Sequence, residues 1–449
     1  MVSDFTGHLP GTREYRRLLA GLFFAGVATF AQLYSPQAVL PLISADFAVA
    51  PATAALSVSA ATVGLAFAVL PWSVIADRIG RVPAMACGVV VASLLGLVAP
   101  FATDIVPFLA IRILEGAALG AVPAVALAYL SEEVDAGHAA AAAGSYIAGT
   151  TVGGLAGRLI SGPIADIAQW RAGVWAVAGV CAASAALFVW LVPRARGFVP
   201  LRVSSERGPH IGTRLLRNLA SAPQRALYVQ AFLLMGGFVA VYNYLGFHLA
   251  APPFGAPAWL VTLLFAAYLA GTVCSPWAGA LASASGRLLV LLGSIGVGIA
   301  GLALMFVPDL VAIIAGLVVF TAGFFAAHAI ASGWAPVAAP AGTRAQASSL
   351  YYLGYYGGSS LFGWALGWVF SEVGWPAFVA AVIALFVVAG VVAAVALRRV
   401  LRMSAAAPTL ATWSASCPTA RSRPRLPHRS ACVRITRRWS PSGTTALTA

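Results

Sequence analysis

The stretch DRIGRV, Asp77 to Val82, sets the charges of Asp77, Arg78 and Arg81 around a single glycine, and it stands between two long apolar runs. About 206 positions later SASGRL, Ser283 to Leu288, stands between two more such runs. A pair of apolar segments joined by a tight polar turn thus occurs twice in one chain. A turn this short needs Gly80 for backbone angles that other residues resist, while Arg78 and Arg81 suit the headgroup layer of a membrane.

The composition around these turns fits a lipid solvent. Sixty-one per cent of the residues are apolar and 9% are charged, where an ordinary soluble domain has about 25%. Mean hydropathy is +0.90. A helical crossing takes about 20 apolar residues, and the chain offers twelve such stretches. They lie near 19–43, 53–76, 83–101, 105–130, 139–163, 170–193, 226–249, 258–281, 288–306, 310–334, 344–368 and 375–398. The predicted fold class is all-α and integral to the membrane, with twelve transmembrane helices in two pseudo-symmetric halves of six. The expected divisions are a cytoplasmic N-terminus (1–18), a first half (19–193), a cytoplasmic linker (194–225), a second half (226–403) and a disordered Arg-rich tail (404–449). The first run, after Arg13, Arg16 and Arg17, is read as an uncleaved helix because it is long and holds Pro36 and Pro41.

Several function classes drop out. All 27 basic residues are arginine, so no Walker A loop and no lysine Schiff base can form. The five cysteines suggest neither a disulfide framework nor zinc, and no metal or cofactor is expected. GVGIAG, Gly296 to Gly301, fits a dinucleotide fingerprint but follows no strand. An intramembrane hydrolase built on Gly357-Gly358-Ser359-Ser360 and His328 would lack Gly-x-Ser-x-Gly, and the chain is expected not to be an enzyme.

Arginine placement sets the expected orientation, because positive charge near helix ends stays in the cytoplasm. Arg78, Arg81, seven arginines between Arg194 and Arg225, Arg287, Arg344, Arg398, Arg399 and Arg402 share the side of the N-terminus; Arg171 alone falls on the other. Both termini are therefore expected in the cytoplasm. The loop SEEVDAGH, Ser131 to His138, dissents by being acidic. The halves echo each other: Gly149, Gly153, Gly162 and Trp170 recur 205 residues on as Gly354, Gly358, Gly367 and Trp375. Phe30 and Tyr34 recur at 208 as Phe238 and Tyr242. Internal repeats of this kind are built into many transporters, with substrate held where the repeats meet.

Ser73-x-x-x-Asp77-Arg78-x-Gly80-Arg81 resembles the loop between helices 2 and 3 of the major facilitator superfamily, and Gly279-x-x-x-Ser283-x-x-Gly286-Arg287 resembles its second-half copy. The resemblance spans residues from about 15 to 402. Ser73 replaces the first glycine of the pattern and Val82 its trailing basic residue. In that family the Asp bridges the halves on the cytoplasmic side when the transporter faces outward; with Ser283 opposite, the latch here is expected to be one-sided. Independently of the family, an unpaired carboxylate at a membrane helix end is unfavourable, so Asp77 is expected to find donors at a neighbouring helix N-terminus.

RILEG, Arg112 to Gly116, is similar to the Arg-x-x-(Gln/Glu)-Gly of drug:proton antiporters, and GGLAGRLISG, Gly153 to Gly162, resembles their glycine-rich motif, with Arg158 inside it as in a YnfM-like subgroup. Arg112 and Glu115 share a helix face, and intramembrane charge is by default functional, so proton coupling is assigned to Arg112, Glu115 and Arg158. Gln32, Tyr34, Tyr242, Asn243, Phe324, His328, Tyr352 and Tyr355 are the candidate lining of a central substrate cavity, an aromatic surface with few polar groups. The resemblance implies a secondary active transporter of the inner membrane, exporting a small organic solute or drug against protons by alternating access, and acting as a monomer among membrane lipids without nucleic acid. Uptake of a sugar or organic anion is the alternative, since Arg112 and Arg158 suit an anion if unpaired. A non-transporting sensor is a further one.

Overall fold

The computed structural model describes residues 7–135, 138–197 and 211–398. Among them no β-strand forms. The helices are α1 (Arg13–Tyr34), α2 (Leu40–Asp46), α3 (Pro51–Ile79), α4 (Arg81–Val98), α5 (Ile105–Leu119), α6 (Ala121–Glu133), α7 (Ala139–Ile167) and α8 (Trp170–Leu191). After the linker come α9 (Ile211–Ala220), α10 (Ala222–Ala250), α11 (Ala258–Leu263), α12 (Tyr268–Ser285), α13 (Arg287–Leu304), α14 (Leu310–Val337), α15 (Arg344–Val373) and α16 (Trp375–Val392). All twelve apolar stretches are helical, several helices running a turn past the apolar run. Ten are long and apolar enough to cross a membrane. The two that fall outside this group, α7 and α15, occupy equivalent places in the halves and are rich in Gly, Ser, Thr and Tyr.

The opening stretch is resolved into a single-residue turn. α3 ends at Ile79 and α4 starts at Arg81, with Gly80 at φ +101° between them; Gly286, at φ +93°, does the same between α12 and α13. This left-handed region is open to glycine at no steric cost. The repeat runs deeper than its glycines. α14, α15 and α16 start 205 residues after α5, α7 and α8, and Pro71 inside α3 recurs as Pro276 inside α12. Asp104 caps α5 by accepting from the Val106 amide at 2.8 Å, and Asp309, 205 residues on, caps α14 by accepting from Ala312 at 2.9 Å.

Packing follows the same register. A Cβ at Gly149 or Gly153 of α7 would overlap the backbone of Phe23 or Val27 in α1; one at Gly358 of α15 would overlap Phe232 in α10, and Gly354 approaches Tyr228. Each contact in the second half is its counterpart moved by 205. At the next position the sizes are exchanged: Gly157 of α7 faces Ala31, whereas Phe362 of α15 faces Gly236. One small partner per level suffices for close approach, whichever helix carries it. The aromatic pairs Phe30/Tyr34 and Phe238/Tyr242, at 208, fall outside this register, so their likeness is not one of packing. The described part of the linker contains α9, whose Leu216 is 67% exposed and whose Asn218 is buried.

α1 and α10 are the most enclosed spans, with 72% and 83% of their apolar windows buried. The outer helices turn large apolar groups outward: Trp190, Trp277, Val311 and Trp368 are at least 65% exposed. Such a surface is stable in contact with lipid and not with water.

The acidic loop that dissented from the charge pattern has its partners in the first half and at the start of the linker. Glu132 binds Arg81 at 2.8 Å, and buried Glu133 accepts from the backbone amides of Arg196 and Gly197, both at 2.6 Å. Asp77 pairs with Arg81, the first residue of α4, at 2.5 Å. The expected donor for Asp77 at a helix N-terminus is thus a guanidinium carried by the next helix, and in this conformation Asp77 is held inside its own half. The tail 404–449 lies outside the described residues.

Candidate functional site

The first half contains two buried arginines, and the local chain path explains both. α1 stops at Tyr34 and resumes as α2 through a 3-10 turn, Gln37–Val39. Pro36 has no amide hydrogen to offer the carbonyl four residues back, that of Gln32, and a helix C-terminus carries partial negative charge. Arg112 fills the break. Its Nη1 donates to Gln32 O at 3.2 Å, Nη2 to Leu33 O at 2.6 Å and Nε to Ser57 O at 2.9 Å. Nη1 also meets Glu115 Oε2 at 2.5 Å, with both side chains buried. Arg112 is therefore a cap for a broken helix as well as the partner of Glu115.

The other carboxylate oxygen, Glu115 Oε1, is buried and has no hydrogen bond, and the same holds for both amide atoms of Gln32. Gln32 lies beside Gly96 of α4, inside the first half. This corrects its expected place at the seam between the halves. Gly116 and Gly64 let α5 and α3 touch backbone to backbone around this cluster.

Arg158, 2% exposed, sits on the seam. Its Nε donates to Gln37 Oε1 at 2.8 Å, Nη1 to Gly154 O, and Nη2 to the Tyr268 hydroxyl at 3.2 Å. Its carbon centre lies 4.2 Å from the Tyr34 ring centre, 4.7 Å from Tyr268 and 5.1 Å from Phe265. Gln37 passes the network on by donating to Asn243 Oδ1 at 2.7 Å, and Asn243 donates to Gly363 O at 3.2 Å. Tyr34 and Asn243 are thus brought together with Arg158, and Tyr242 meets Tyr268 edge to face, 4.9 Å between centroids. Gln37 and Tyr268 are site residues that the sequence reading passed over. Gln37 carried a signal, a polar residue next to Pro36 in an apolar stretch; Tyr268 carried none.

Among the described residues four hydrogen bonds join the halves: Gln37 to Asn243, Arg158 to Tyr268, Thr62 to Ser360 at 2.7 Å, and the Trp259 amide to Asp166 at 2.6 Å. Helices alternate in direction, so all four lie between the middle of the bundle and the end opposite Gly80 and Gly286. The residues expected to form gating loops, Ser73, Asp77, Arg78, Gly80 and Arg81, and Gly279, Ser283, Gly286 and Arg287, lie at the other end. There Ser283 only turns back to Gly279 O at 3.1 Å.

The aromatic candidates form a third cluster in the second half. Phe324 is fully enclosed, stacked on Phe238 at 3.9 Å, and Tyr242 shares a 2.7 Å hydrogen bond with Thr321. His328 Nδ1 is 3.0 Å from the Tyr351 hydroxyl and its ring 4.9 Å from that of Tyr355. Phe324 is accordingly a packing residue, whereas Tyr352 is 46% exposed.

Residues 22–363 match the sequence model of the Major Facilitator Superfamily. The chain is 39% identical over 391 residues to the inner membrane transport protein YnfM of Escherichia coli K12, covering 87% of this chain and 92% of that one. Its backbone superimposes on a bacterial homologue of the human lysosomal transporter Spinster, inward-facing and unoccupied, with a TM-score of 0.72 at 17% identity, covering 87% and 99% of the two chains. A D-xylose–proton symporter gives 0.68 at 16% identity, covering 85% and 96%. With its repeated helical halves, its glycine-punctuated turns and these matches, the chain is a membrane-spanning transporter belonging to the major facilitator superfamily.

Proposed function

We propose that the protein moves a small organic solute across the cytoplasmic membrane by alternating access, driven by protons, with export as the direction. The observation that carries this is the seam: two similar halves whose hydrogen bonds to each other, among the described residues, lie between the middle of the bundle and one end, around a buried cluster of charge and aromatic surface. Rocking one half against the other would break the four bonds at the closed end and bring the loops at Gly80 and Gly286 together. The twelve crossings include α7 and α15, whose smaller and more polar residues suit helices packed on α1 and α10. Glu115 is the coupling group. Arg112 holds Oε2, leaving Oε1 as the oxygen that is protonated, its O–H donating a hydrogen bond to the side-chain amide oxygen of Gln32. The same fold serves proton-coupled transport in the D-xylose–proton symporter, and the name of YnfM supports the inner membrane as the location. Export rests on the likeness of Arg112 to Gly116 to the antiporter motif.

The test is flux in proteoliposomes. In a protein whose five native cysteines are serine, Thr62→Cys with Ser360→Cys should form a disulfide on oxidation, since the two hydroxyl oxygens are 2.7 Å apart. Oxidation should lower flux by more than about tenfold and reduction restore it. Full flux through the cross-linked protein would show that the halves need not part.

Orientation has its own check. A fluorescent protein fused after Arg402 should glow and alkaline phosphatase fused there should stay silent. The reverse pattern would place the Gly80 end outside.

A further inference from the structure

The two buried arginines are provided for in opposite ways. Arg112 has a carboxylate at 2.5 Å. Arg158 has one amide oxygen, one backbone carbonyl, one phenol and three ring faces, and among the described residues it forms no ion pair. Dipoles and ring quadrupoles stabilise a guanidinium without neutralising it. A full positive charge therefore stays in a low-dielectric seam, an arrangement that is unfavourable unless an anion completes it.

Its place makes that anion a transient one. Three of the five guanidinium N–H groups are engaged by protein, one of them by Tyr268 in the opposite half. Opening the closed end separates Arg158 from Tyr268 and Gln37 from Asn243. A carboxylate entering there would find a planar fork of donors, the geometry that guanidinium binds with two parallel hydrogen bonds. Behind the fork the walls are aromatic: Tyr34, Phe265 and Tyr268, with Tyr242 and Phe238 packed on Tyr268 at 4.9 and 5.4 Å. A bound carboxylate would exchange one set of Arg158 partners for another as the halves move, and a ligand biases an access equilibrium only by such a difference in contacts.

We propose that the transported solute is a monovalent organic anion with an apolar or aromatic body, its carboxylate held by Arg158 and its body laid against Tyr34, Phe265 and Tyr268. This deepens the transport reading and rests on it. Glu115 and Arg112 serve the proton, and Arg158 serves the substrate.

The experiment compares phenylacetate with phenylacetamide, and hexanoate with hexanamide, for binding to the full-length protein in detergent by calorimetry. At least one carboxylate should bind about tenfold or more tighter than its neutral amide. Arg158→Gln should erase that preference with the melting transition retained, and Arg158→Lys, which keeps the charge and loses the fork, should keep part of it. Equal binding of acid and amide, binding of neither acid, or an intact preference in Arg158→Gln would overturn the assignment. The comparison on the unmodified protein decides even if the glutamine variant fails to fold. Flux of radiolabelled phenylacetate and hexanoate in proteoliposomes separates the two levels. Carboxylate-selective binding without flux would sink the transport reading and leave the site standing. Flux of neutral solutes without carboxylate-selective binding would do the reverse.

Discussion

Glu115→Gln should abolish solute movement driven by a pH gradient in proteoliposomes while leaving gradient-free exchange within about twofold of wild type. The reason is the division of labour at the carboxylate. Oε2 is committed to Arg112 at 2.5 Å, and a glutamine oxygen can hold that contact. Oε1 is buried without a partner, so its protonation is free to follow the changing surroundings of α5 as the halves move. Glutamine keeps the shape and removes the titration. Normal gradient-driven flux in this variant would take Glu115 out of the mechanism and turn attention to Asp77 and His328.

Arg112→Met should have the largest effect on the folded state. It removes the cap of the α1 break, leaving the Leu33 carbonyl without a donor and those of Gln32 and Ser57 with one fewer, and it strands a buried carboxylate. Removing one partner of a buried ion pair alone costs about 3–5 kcal/mol. The expected outcome is loss of monodisperse protein after extraction. If the pair were only an ion pair, replacing Arg112 and Glu115 together by methionine would restore stability, because packed apolar groups often substitute for such pairs without loss. The structure predicts that restoration is incomplete, since the Leu33 carbonyl, unmet at about 1–3 kcal/mol, remains. A double variant with wild-type yield and melting temperature would reduce Arg112 to the partner of Glu115.

The two substitutions therefore separate what one motif combines. Arg112 holds the chain path of α1 and orients the carboxylate; on the proposed reading Glu115 carries the titration. Arg158 stands apart from both, on a different helix and at the seam, where its charge meets no carboxylate among the described residues.

Much of this architecture was determined by the sequence alone, for a physical reason. In lipid every backbone hydrogen bond must close within its own segment, so an apolar run of sufficient length has little choice but helix, and a glycine between two runs has little choice but turn. The helical form of the apolar stretches, the Gly80 and Gly286 turns and the close packing of Gly149 and Gly153 on α1 are local consequences of that rule. The recurrence at 205 was visible in a few glycines and a tryptophan; the caps at Asp104 and Asp309 belong to it but need hydrogen-bond geometry to be seen. What only the tertiary structure decided is which polar groups meet. The acids of the Ser131–His138 loop look misplaced until Arg81 and the linker amides fold against them. Gln32 and Tyr34 are two residues apart on one helix and so point to different neighbours, one to Glu115 within the half and the other to Arg158 at the seam. Helical periodicity gives the face, but the partner across it comes from how the helices pack. That is why Arg112 and Arg158 read alike in the sequence, while among the described residues one is paired with a carboxylate and the other is not.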